Sequence, residues 1–462
     1  MKRLFRLYGV SGAICAAAIV CLLFNKTGCG SNPGQEEEEE ISSDAEVEQP
    51  SRNEMDVTDC VDIYNGEIWS EPFFGQTFRS GGSDFGAAYG RLVLPVLDHS
   101  EGAYFEFRGV FPESRFFSFQ SSGEGEFFMD KKTDYEILPD DDSVNPFAMG
   151  GPWPEGAGLN YSLKLLDVPI DMRDGTWGQN VLFGGFYLKG EGEEQSLYNA
   201  IIYRVYLPED RTISFPRVYY VYEGETKTRE EVCALLSSEF MGYEQYLAIN
   251  ENAETAAPRL AENTNQEVAG YEPLYPVEWF IGINIEGTAR MAFPRVPDDM
   301  TNEPIGANMD AMYVAAFFDP SNEMTIARFK APEVPAQARY YSVCIMQPLN
   351  FLYTWDCKND EELDLDDDGY VTIVFSSERD KPEYVCKPGE CVYNWMPYSS
   401  AAPLVWIRQL VPDEETYPNA PHFYEGDPYD SKELSIHMGA HYPKTWYCTR
   451  RDFETLGFDC LR

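Results

Sequence analysis

The sequence predicts a mainly β protein built from two related antiparallel units. Aromatic residues make up 15% of the 462 residues, with 30 Tyr and 29 Phe, and their flat rings favour the half-buried surface of a strand. The chain also has 36 Gly and 31 Pro, which supply many turns between short runs of alternating polarity. Such spacing is typical of a sandwich or barrel rather than of βαβ units.

An Arg-aromatic-aromatic-Ser motif occurs once in each half of the chain. The segment 115–119, RFFSF, returns as 339–343, RYYSV, and each copy follows an alternating run that breaks at a proline. A second echo pairs 204–209, RVYLPE, with 408–413, RQLVPD. The anchors are 204 − 115 = 89 residues apart in the first copy and 408 − 339 = 69 in the second. We therefore predict one duplicated β unit, with an insertion of 20 residues in the first copy.

The chain begins with the features of an export signal, which we assign to residues 1–28. Lys2, Arg3 and Arg6 precede an apolar core at 10–24 that is short for a membrane span. Gly-Cys29-Gly-Ser then resembles a lipoprotein junction with Cys29 as the acylated residue, although Lys26 stands where such signals prefer an aliphatic residue. A lipoprotein and a plain secreted protein therefore both remain open. The acidic, polar residues 29–56 predict a disordered tether.

The rest of the chain divides into two β units and a linker. The first unit is predicted at 57–250 and ends in one helix, about 229–248, which starts with the capping box Thr228-Arg-Glu-Glu231. Residues 251–270 are polar and predict a linker. The second unit is predicted at 271–462. Its Tyr- and Pro-rich tail, 412–462, is expected to wrap the sandwich rather than to form a domain.

Net charge excludes some partners. The chain carries 78 acids against 35 bases, a formal charge of −43. Such a surface repels phosphate backbones and anionic lipid, so we expect no nucleic-acid partner and membrane contact only through a lipid on Cys29. The charge is compatible with a cationic ligand or divalent ions, but it identifies neither a ligand nor a protein partner.

Eight cysteines remain once Cys15, Cys21 and Cys29 are set aside. An even number in an exported chain predicts disulfides, and eight cysteines allow 105 pairings. Short loops favour three pairs and leave the fourth by elimination: Cys344–Cys357, Cys386–Cys391, Cys448–Cys460 and Cys60–Cys233. No C-x-x-C occurs, which argues against zinc.

One acidic loop has the spacing of a calcium site. Asp364, Asp366 and Asp368 stand at positions one, three and five before Gly369, but position twelve is Phe375 rather than Glu. The alternative is an Asp-Gly turn ahead of a strand, and it is the favoured interpretation. We expect no other cofactor. The segment 140–142, DDD, stands at a comparable place in the first copy and is interpreted as a solvated loop.

Catalytic patterns are weak. His437 and His441 have metal-ligand spacing, but Gly439 between them and Pro443 after them disfavour a shared helix. No G-x-S-x-G is present. With 78 acids, a pair of catalytic carboxylates cannot be selected by sequence.

Several segments together resemble a family of uncharacterised exported bacterial proteins and lipoproteins. In the second half these are RYYSVCIM (339–346), the run from Asp364 to Glu383, NWMP (394–397), WIRQLVP (406–412) and HMGAHYP (437–443). In the first half they are RFFSFQ (115–120), the run from Asp134 to Phe147 and IIYRVYLP (201–208). The Arg-Tyr-Tyr-Ser strand, the Asp-Gly turn and Asn-Trp-Met-Pro are more distantly similar to the β-sandwich catalogued as domain of unknown function 1214. The resemblance implies a jelly-roll-like double sandwich outside the cytoplasm and supplies no catalytic residues.

Two functions follow as hypotheses. The first is an envelope-associated binding or structural protein, in the outer membrane or periplasm as a lipoprotein, or secreted. The alternative is a secreted hydrolase whose acids and histidines converge between the two units. The repeated strands themselves are interpreted as interior strands of two sandwiches, so function is expected where the copies differ: in the insertion and in the tail.

Overall fold

A computed structural model describes most of the chain after residue 51. The described residues are 52–60, 69, 73–78, 83–123, 127–149, 153–173, 175–189, 192–209, 212–236, 276–282, 308–347, 353–383, 392–400 and 402–460. The predicted signal at 1–28, Cys29, the linker at 251–270 and the pair Cys386–Cys391 lie outside them. Ser51–Arg462 forms one compact unit.

The first half supplies strands β1 to β12 among the described residues. Their bounds are β1 Arg52–Asp56, β2 Phe73–Phe74, β3 Ala87–Pro95, β4 Tyr104–Val110, β5 Phe116–Ser122, β6 Phe128–Thr133, β7 Asn160–Asp167, β8 Val181–Gly184, β9 Phe186–Lys189, β10 Gly192–Gln195, β11 Tyr198–Tyr206 and β12 Arg217–Glu223. They form an outer sheet, β1-β12-β4-β7-β8, an inner sheet, β2-β3-β11-β5-β6, and a β9–β10 ribbon.

The second half repeats this arrangement with strands β13 to β21, again within the described ranges. Their bounds are β13 Phe280–Gly282, β14 Ala311–Phe317, β15 Met324–Lys330, β16 Ala338–Gln347, β17 Tyr353–Asn359, β18 Tyr370–Ser376, β19 Asn394–Pro397, β20 Leu404–Pro412 and β21 Lys444–Cys448. The inner sheet is β13-β14-β20-β16-β17 and the outer sheet is β19-β18-β15-β21.

The two halves share strand order and register. The Arg-aromatic-aromatic-Ser motifs lie at the start of β5 and β16, and each of these strands pairs with the strand of the second echo. Ser118 of β5 lies opposite Arg204 of β11, and Ser342 of β16 lies opposite Arg408 of β20. All the sheets are antiparallel except for one pair in each outer sheet, β7–β8 and β18–β19, which is parallel. The mainly β, two-part fold predicted from the sequence is confirmed.

The first copy's extra length is not one insertion. The connection from β6 to β7, residues 134–159, is longer than its counterpart 360–369 and contains the short helix Pro146–Met149. The β9–β10 ribbon, which has no counterpart in the second half among the described residues, adds further length. The extra residues of the first copy are therefore spread over more than one connection.

Four sheet layers stack in the order outer, inner, inner, outer. Alternation along each inner strand sends successive side chains to opposite faces. Phe117 of β5 enters the core of the first sandwich, while Phe116 enters the layer between the two inner sheets. Tyr341 and Tyr340 of β16 divide in the same way. Strands buried on both faces read as nearly continuous apolar runs, as β16 and β20 do.

The helices are short. They are Gly75–Phe78 (α1), Pro146–Met149 (α2), Arg229–Leu235 (α3), Ser431–Met438 (α4) and Arg450–Leu456 (α5), with single 3-10 turns at His99–Glu101, Asp134–Glu136, Ile170–Met172, Gly175–Trp177, Glu378–Asp380, Pro421–Phe423, Gly439–His441 and Gly457–Asp459. None of the helices in the described part of the chain is long and apolar enough to cross a membrane.

The predicted capping box of α3 is present. Thr228 Oγ1 accepts from the Glu231 amide at 3.3 Å, and Glu231 Oε2 accepts from the Thr228 amide at 2.7 Å. Residues 237–248 of the predicted helix lie outside the described ranges. The tail contains two further helices, α4 and α5, whereas the sequence predicted a single helix in the chain. Their N-caps are Asp430 and Thr449, in Asp-Ser-Lys-Glu and Thr-Arg-Arg-Asp segments whose apolar stripes are too short to stand out.

The tether boundary predicted at residue 56 is wrong. Residues 52–56 form β1, which pairs along its whole length with β12, and Met55 packs against the core of the first sandwich. Alternating charges hide this strand in the sequence, because Glu54 and Asp56 look like a continuation of the acidic run. On an edge strand such charges face water.

Candidate functional site

A group of buried charged side chains lies between the two inner sheets. Asp84 precedes β3 and is fully buried. Its Oδ2 atom lies 2.6 Å from Arg408 Nη1 and accepts from Ser342 Oγ at 2.5 Å. Its Oδ1 atom accepts from Tyr340 Oη at 2.5 Å and from the Gly86 amide at 2.9 Å. Four donors thus satisfy the carboxylate, which stabilises its charge away from water.

Two further ion pairs join the halves in a reciprocal manner. Arg115 Nη1 lies 2.8 Å from Asp360 Oδ2, and Arg339 Nη2 lies 2.9 Å from Asp134 Oδ2. Arg115 and Arg339 occupy the same place in the two repeats, and Asp134 and Asp360 both follow the last strand of an inner sheet. Each half therefore offers the same Arg and Asp to the other. Such self-complementary contact is the geometry of a two-fold symmetric dimer interface, here within one chain.

Among the acids of this interface, Asp134 has a pKa far above its ordinary value. Burial raises the pKa of Asp134 to about 7, against the opposing effect of Arg339 and of hydrogen bonds from backbone amides. An acid that titrates near neutrality is a candidate for proton transfer. Its oxygens are nevertheless occupied, because Arg339 holds Oδ2 and the Tyr135 amide donates to Oδ1 at 2.7 Å.

A lysine, an acid and a histidine meet beside the same interface. Lys131 Nζ lies 3.1 Å from Oδ1 of the buried Asp310 and donates to the Met309 carbonyl at 2.9 Å. His422 is near enough to Lys131 to feel its charge. Burial, with a smaller effect of Lys131, lowers the pKa of His422 to about 3, so the ring is neutral at pH 7. Lys131 of the first half thus contacts an acid of the second half, with His422 of the second half close to it.

The acidic loop predicted as a calcium site or a turn has the contacts of a turn. Asp366 Oδ1 accepts from the amides of Asp368 and Tyr370 at 3.1 and 2.9 Å, and Gly369 has a positive φ of 77°. Asp366 Oδ2 lies 2.7 Å from Arg328 Nη2. The Arg328 guanidinium therefore already pairs with the oxygen that Asp366 would offer to a bound cation. The hypothesis that Asp364, Asp366 and Asp368 bind calcium stays a prediction, and these contacts favour the turn.

The same turn framework recurs in the first copy. Asn394 donates from Nδ2 to the carbonyls of Asp364 and Thr372 at 3.0 and 3.3 Å. Asn180 does the same to the carbonyls of Leu138 and Ser162 at 2.7 and 3.0 Å. Since both copies build this turn in the same way, it belongs to the duplicated fold.

His437 and His441 do not face a common metal. Helix α4 ends at Met438 and His441 lies in the following 3-10 turn, so the two histidines lie on different elements. His437 Nε2 lies 2.9 Å from the Ala420 carbonyl oxygen, and His441 Nδ1 lies 2.7 Å from the Lys330 carbonyl oxygen. In the described ranges, one set of three metal-type ligands lies within 4.8 Å, namely Asp84, Cys344 and Cys357. Those two cysteines are bonded to each other and are not available as thiolates.

Three of the four predicted cysteine pairs are disulfides in the structure: Cys60–Cys233, Cys344–Cys357 and Cys448–Cys460. Cys344 and Cys357 lie directly opposite each other on β16 and β17. Cys448–Cys460 joins β21 to the end of the tail. Disulfides of this number indicate an oxidising, extracytoplasmic environment.

A shallow surface pocket of about 510 Å³ lies in the tail, beside helix α4. Phe423, Tyr424 and Ile436 provide its apolar lining, and Glu425 and Glu433 provide its acidic lining. The sequence predicts function in the tail, but no motif in the tail singles out these residues. Phe423 and Tyr424 belong to its general richness in aromatic residues, which is the one sequence signal for this pocket.

The buried site residues were also missed. The repeated motif contains Arg115 and Arg339, but nothing in the sequence indicates their acidic partners in the opposite half. Asp84 sits in a Gly-rich segment that reads as a loop, and Asp134 and Asp360 are two of 78 acids. The duplication itself was the available signal, because a reciprocal interface requires the same pair twice.

Comparisons with known proteins assign the chain to no family. No protein-family model matches it, and no curated protein matches it. Among solved structures, an uncharacterised protein from Burkholderia cenocepacia is similar at 10% identity and a TM-score of 0.40, covering 80% of this chain and 79% of that chain. The VPA0106 protein from Vibrio parahaemolyticus is similar at 13% identity and a TM-score of 0.34, covering 80% of this chain and 90% of that chain.

Proposed function

We propose that this chain is an exported, envelope-associated β-sandwich protein with a binding or structural role rather than an enzyme. One observation carries the proposal: the interface acids that could do chemistry are used as ties between the two halves. Asp84 is saturated by four donors, and Asp134 is held by Arg339 and a backbone amide. A general acid or base needs a free oxygen within hydrogen-bond reach of a substrate.

The location of the protein follows from its cysteines and its first residues. The disulfides support an oxidising compartment. Within it, we propose either a lipid anchor on Cys29 or release after cleavage of the signal, as the resemblance to exported bacterial proteins and lipoproteins implies. Fractionation of cells that express the full chain or Cys29→Ser, with mass spectrometry of the mature N-terminus, decides between them. An acylated Cys29 and loss of membrane attachment in the variant identify the lipoprotein.

A secreted hydrolase is the second candidate. It is favoured by the pKa of Asp134, which burial raises to about 7, and by the neutral His422 near Lys131 and Asp310. Neutral histidine and a protonated acid are the usual pair for general base and acid.

A substrate panel separates the two functions. The full chain is assayed with p-nitrophenyl esters, phosphates and glycosides, together with Asp134→Asn and the matched variant Asp360→Asn from the other half. The proposal predicts no hydrolysis above buffer for any of the three proteins. Hydrolysis that is lost in Asp134→Asn and kept in Asp360→Asn, with both variants folded by circular dichroism, would establish the hydrolase instead.

A further inference from the structure

The tail presents an apolar side chain to water beside an acidic depression. Helix α4 buries Leu434 and Met438 in the core of the second sandwich, and Asp430 Oδ1 caps it by accepting from the Glu433 amide at 3.0 Å. On another face of the helix, the Ile436 side chain is 74% exposed, the largest exposure among the large exposed apolar residues in the described ranges. Ile436 lines the pocket of about 510 Å³, a volume in the range of small-ligand sites.

One of the residues that line this pocket, Tyr424, has an unsatisfied hydroxyl. Tyr424 is 9% exposed, and within the described residues its Oη atom is buried and has no hydrogen-bond partner. A buried polar atom without a partner is unfavourable, because it has lost its hydrogen bonds to water. Tyr424 Oη points toward Gly426, which also lines the pocket, because a Cβ at Gly426 would lie 2.3 Å from it. A ligand that donates to this oxygen would satisfy it.

The carboxylates give the pocket a negative character. Glu425 and Glu433 line it together with the His437 ring, whose Nε2 atom lies 2.9 Å from the Ala420 carbonyl oxygen, and Lys and Arg are missing from its described lining. Burial raises the pKa of Tyr424, and the carboxylates of Glu433, Asp430 and Asp427 add to this effect. Lys432 lies on the same helix but does not line the pocket. An anion would therefore be repelled, and a cation attracted.

The aromatic lining favours an organic cation over a bare metal ion. A bare metal ion needs several oxygen ligands converging on one point. Within the described residues, the pocket contributes no set of three ligand atoms close enough to do so. The rings of Phe423 and Tyr424 instead give the pocket an aromatic lining. An ammonium group on a short apolar stem combines all these contacts, since it donates hydrogen bonds to carboxylates and to a hydroxyl and packs its stem against rings.

We infer that this pocket binds an ammonium group carried on an apolar stem, either as a free alkyl amine or as a lysine side chain. The charged head lies between Glu425, Glu433 and Tyr424 Oη, and the stem lies along Ile436 and Phe423. The inference gives a ligand class to the proposed binding role and rests on it. Its failure would leave the absence of hydrolysis and the envelope location untouched.

Titration calorimetry on the full chain tests the charge requirement. Pentylamine is compared with pentanol and with pentanoate at pH 7. We expect pentylamine to bind and the two other compounds not to bind. Equal binding of pentylamine and pentanol would overturn the inference, because the acids would then have no part in recognition. No binding of pentylamine would overturn it as well.

Variants locate the site. Glu433→Gln should weaken pentylamine binding by roughly threefold to fivefold, the effect of one exposed charge pair. The matched control Glu414→Gln, an exposed acid outside the pocket, should leave it unchanged. Gly426→Ala places a methyl group on the Tyr424 hydroxyl and should abolish binding. Since that variant disturbs a buried group, Ile436→Ser provides a second test at an exposed position. Unchanged affinity in both Glu433→Gln and Ile436→Ser would overturn the assignment.

The source of the ammonium group is settled with a second ligand. Nα-acetyl-lysine amide is titrated beside pentylamine. If it binds at least as tightly, the site fits a lysine of a partner protein. If only pentylamine binds, the site fits a free amine. Either result supports the inferred chemistry.

Discussion

Arg408 Nη1 lies 2.6 Å from Asp84 Oδ2, although 324 residues separate the two in the chain. Both side chains are almost completely removed from water, and they belong to opposite halves of the duplicated fold. The pair therefore fixes how the two inner sheets meet. A buried pair of this kind is costly to break, because one charge is then left without a partner.

We predict that Asp84→Asn lowers the free energy of unfolding by roughly 3–5 kcal/mol, the usual cost of leaving a buried charge unpaired. The double variant Asp84→Asn/Arg408→Met removes both charges and should be more stable than the single variant. Urea denaturation followed by tryptophan fluorescence measures both. A single variant that matches the wild type, or a double variant no better than the single one, would contradict this.

The two reciprocal ion pairs should contribute unequally to stability. Arg339→Ala leaves the fully buried Asp134 without its cation, and we expect a loss of about 2–3 kcal/mol. Arg115→Ala should cost less, about 1 kcal/mol, because one of its two partners is the exposed Glu361. Denaturant midpoints of the two matched variants test this order, and the reverse order would show that the halves are not tied as their contacts indicate.

Asp167 should make stability depend on pH. Burial raises its pKa to about 7 from an ordinary value of 3.8, against hydrogen bonds from the Leu97 amide and Asn199. The folded state therefore holds a proton that the unfolded state releases. The contribution is complete below about pH 4 and is lost as the pH rises through 7. A shift of this size corresponds to roughly 4 kcal/mol.

The measurement is the difference between the wild type and Asp167→Asn from pH 4 to pH 8. The wild type should lose stability relative to the variant across this range. Asp134 has a raised pKa as well, so the difference, rather than the wild-type curve alone, isolates Asp167. A difference that stays constant with pH would mean that Asp167 titrates normally.

The turn at Asp366 should be independent of calcium. Since Arg328 already pairs with Asp366, we expect the same Tm with calcium and with a chelator. Asp366→Ala should lower stability by about 1–2 kcal/mol in both conditions, through loss of the ion pair and of two hydrogen bonds from backbone amides. A Tm that falls on chelation in the wild type but not in Asp366→Ala would establish a calcium site.

The remaining cysteine pair has its own test. We predict that non-reducing digestion of the purified chain yields a peptide in which Cys386 and Cys391 are linked, because their short loop favours pairing in an oxidising compartment. Peptide mass mapping before and after reduction measures it. Recovery of either thiol in free form would refute this link without affecting the other three.

The sequence predicted those parts of the fold that depend on local pattern. Alternating aromatic residues predicted the strands, the Thr228–Glu231 capping box predicted the start of α3, and the echoes around Arg115 and Arg339 predicted the duplication. Helices α4 and α5 and strand β1 escaped prediction for a related reason. Each is too short, or too charged, for its periodicity to rise above its surroundings.

By itself, then, the sequence determined that this protein is a duplicated, mainly β chain, because strand periodicity and a repeated motif are properties of neighbouring residues. Only the tertiary structure decided which acids meet which arginines. Asp84, Asp134 and Asp360 are indistinguishable from other acids until folding places them against Arg408, Arg339 and Arg115. It also decided that Ile436 and Tyr424 share a pocket with Glu433. Burial and the partner across an interface arise from packing between distant segments, and no local pattern encodes them.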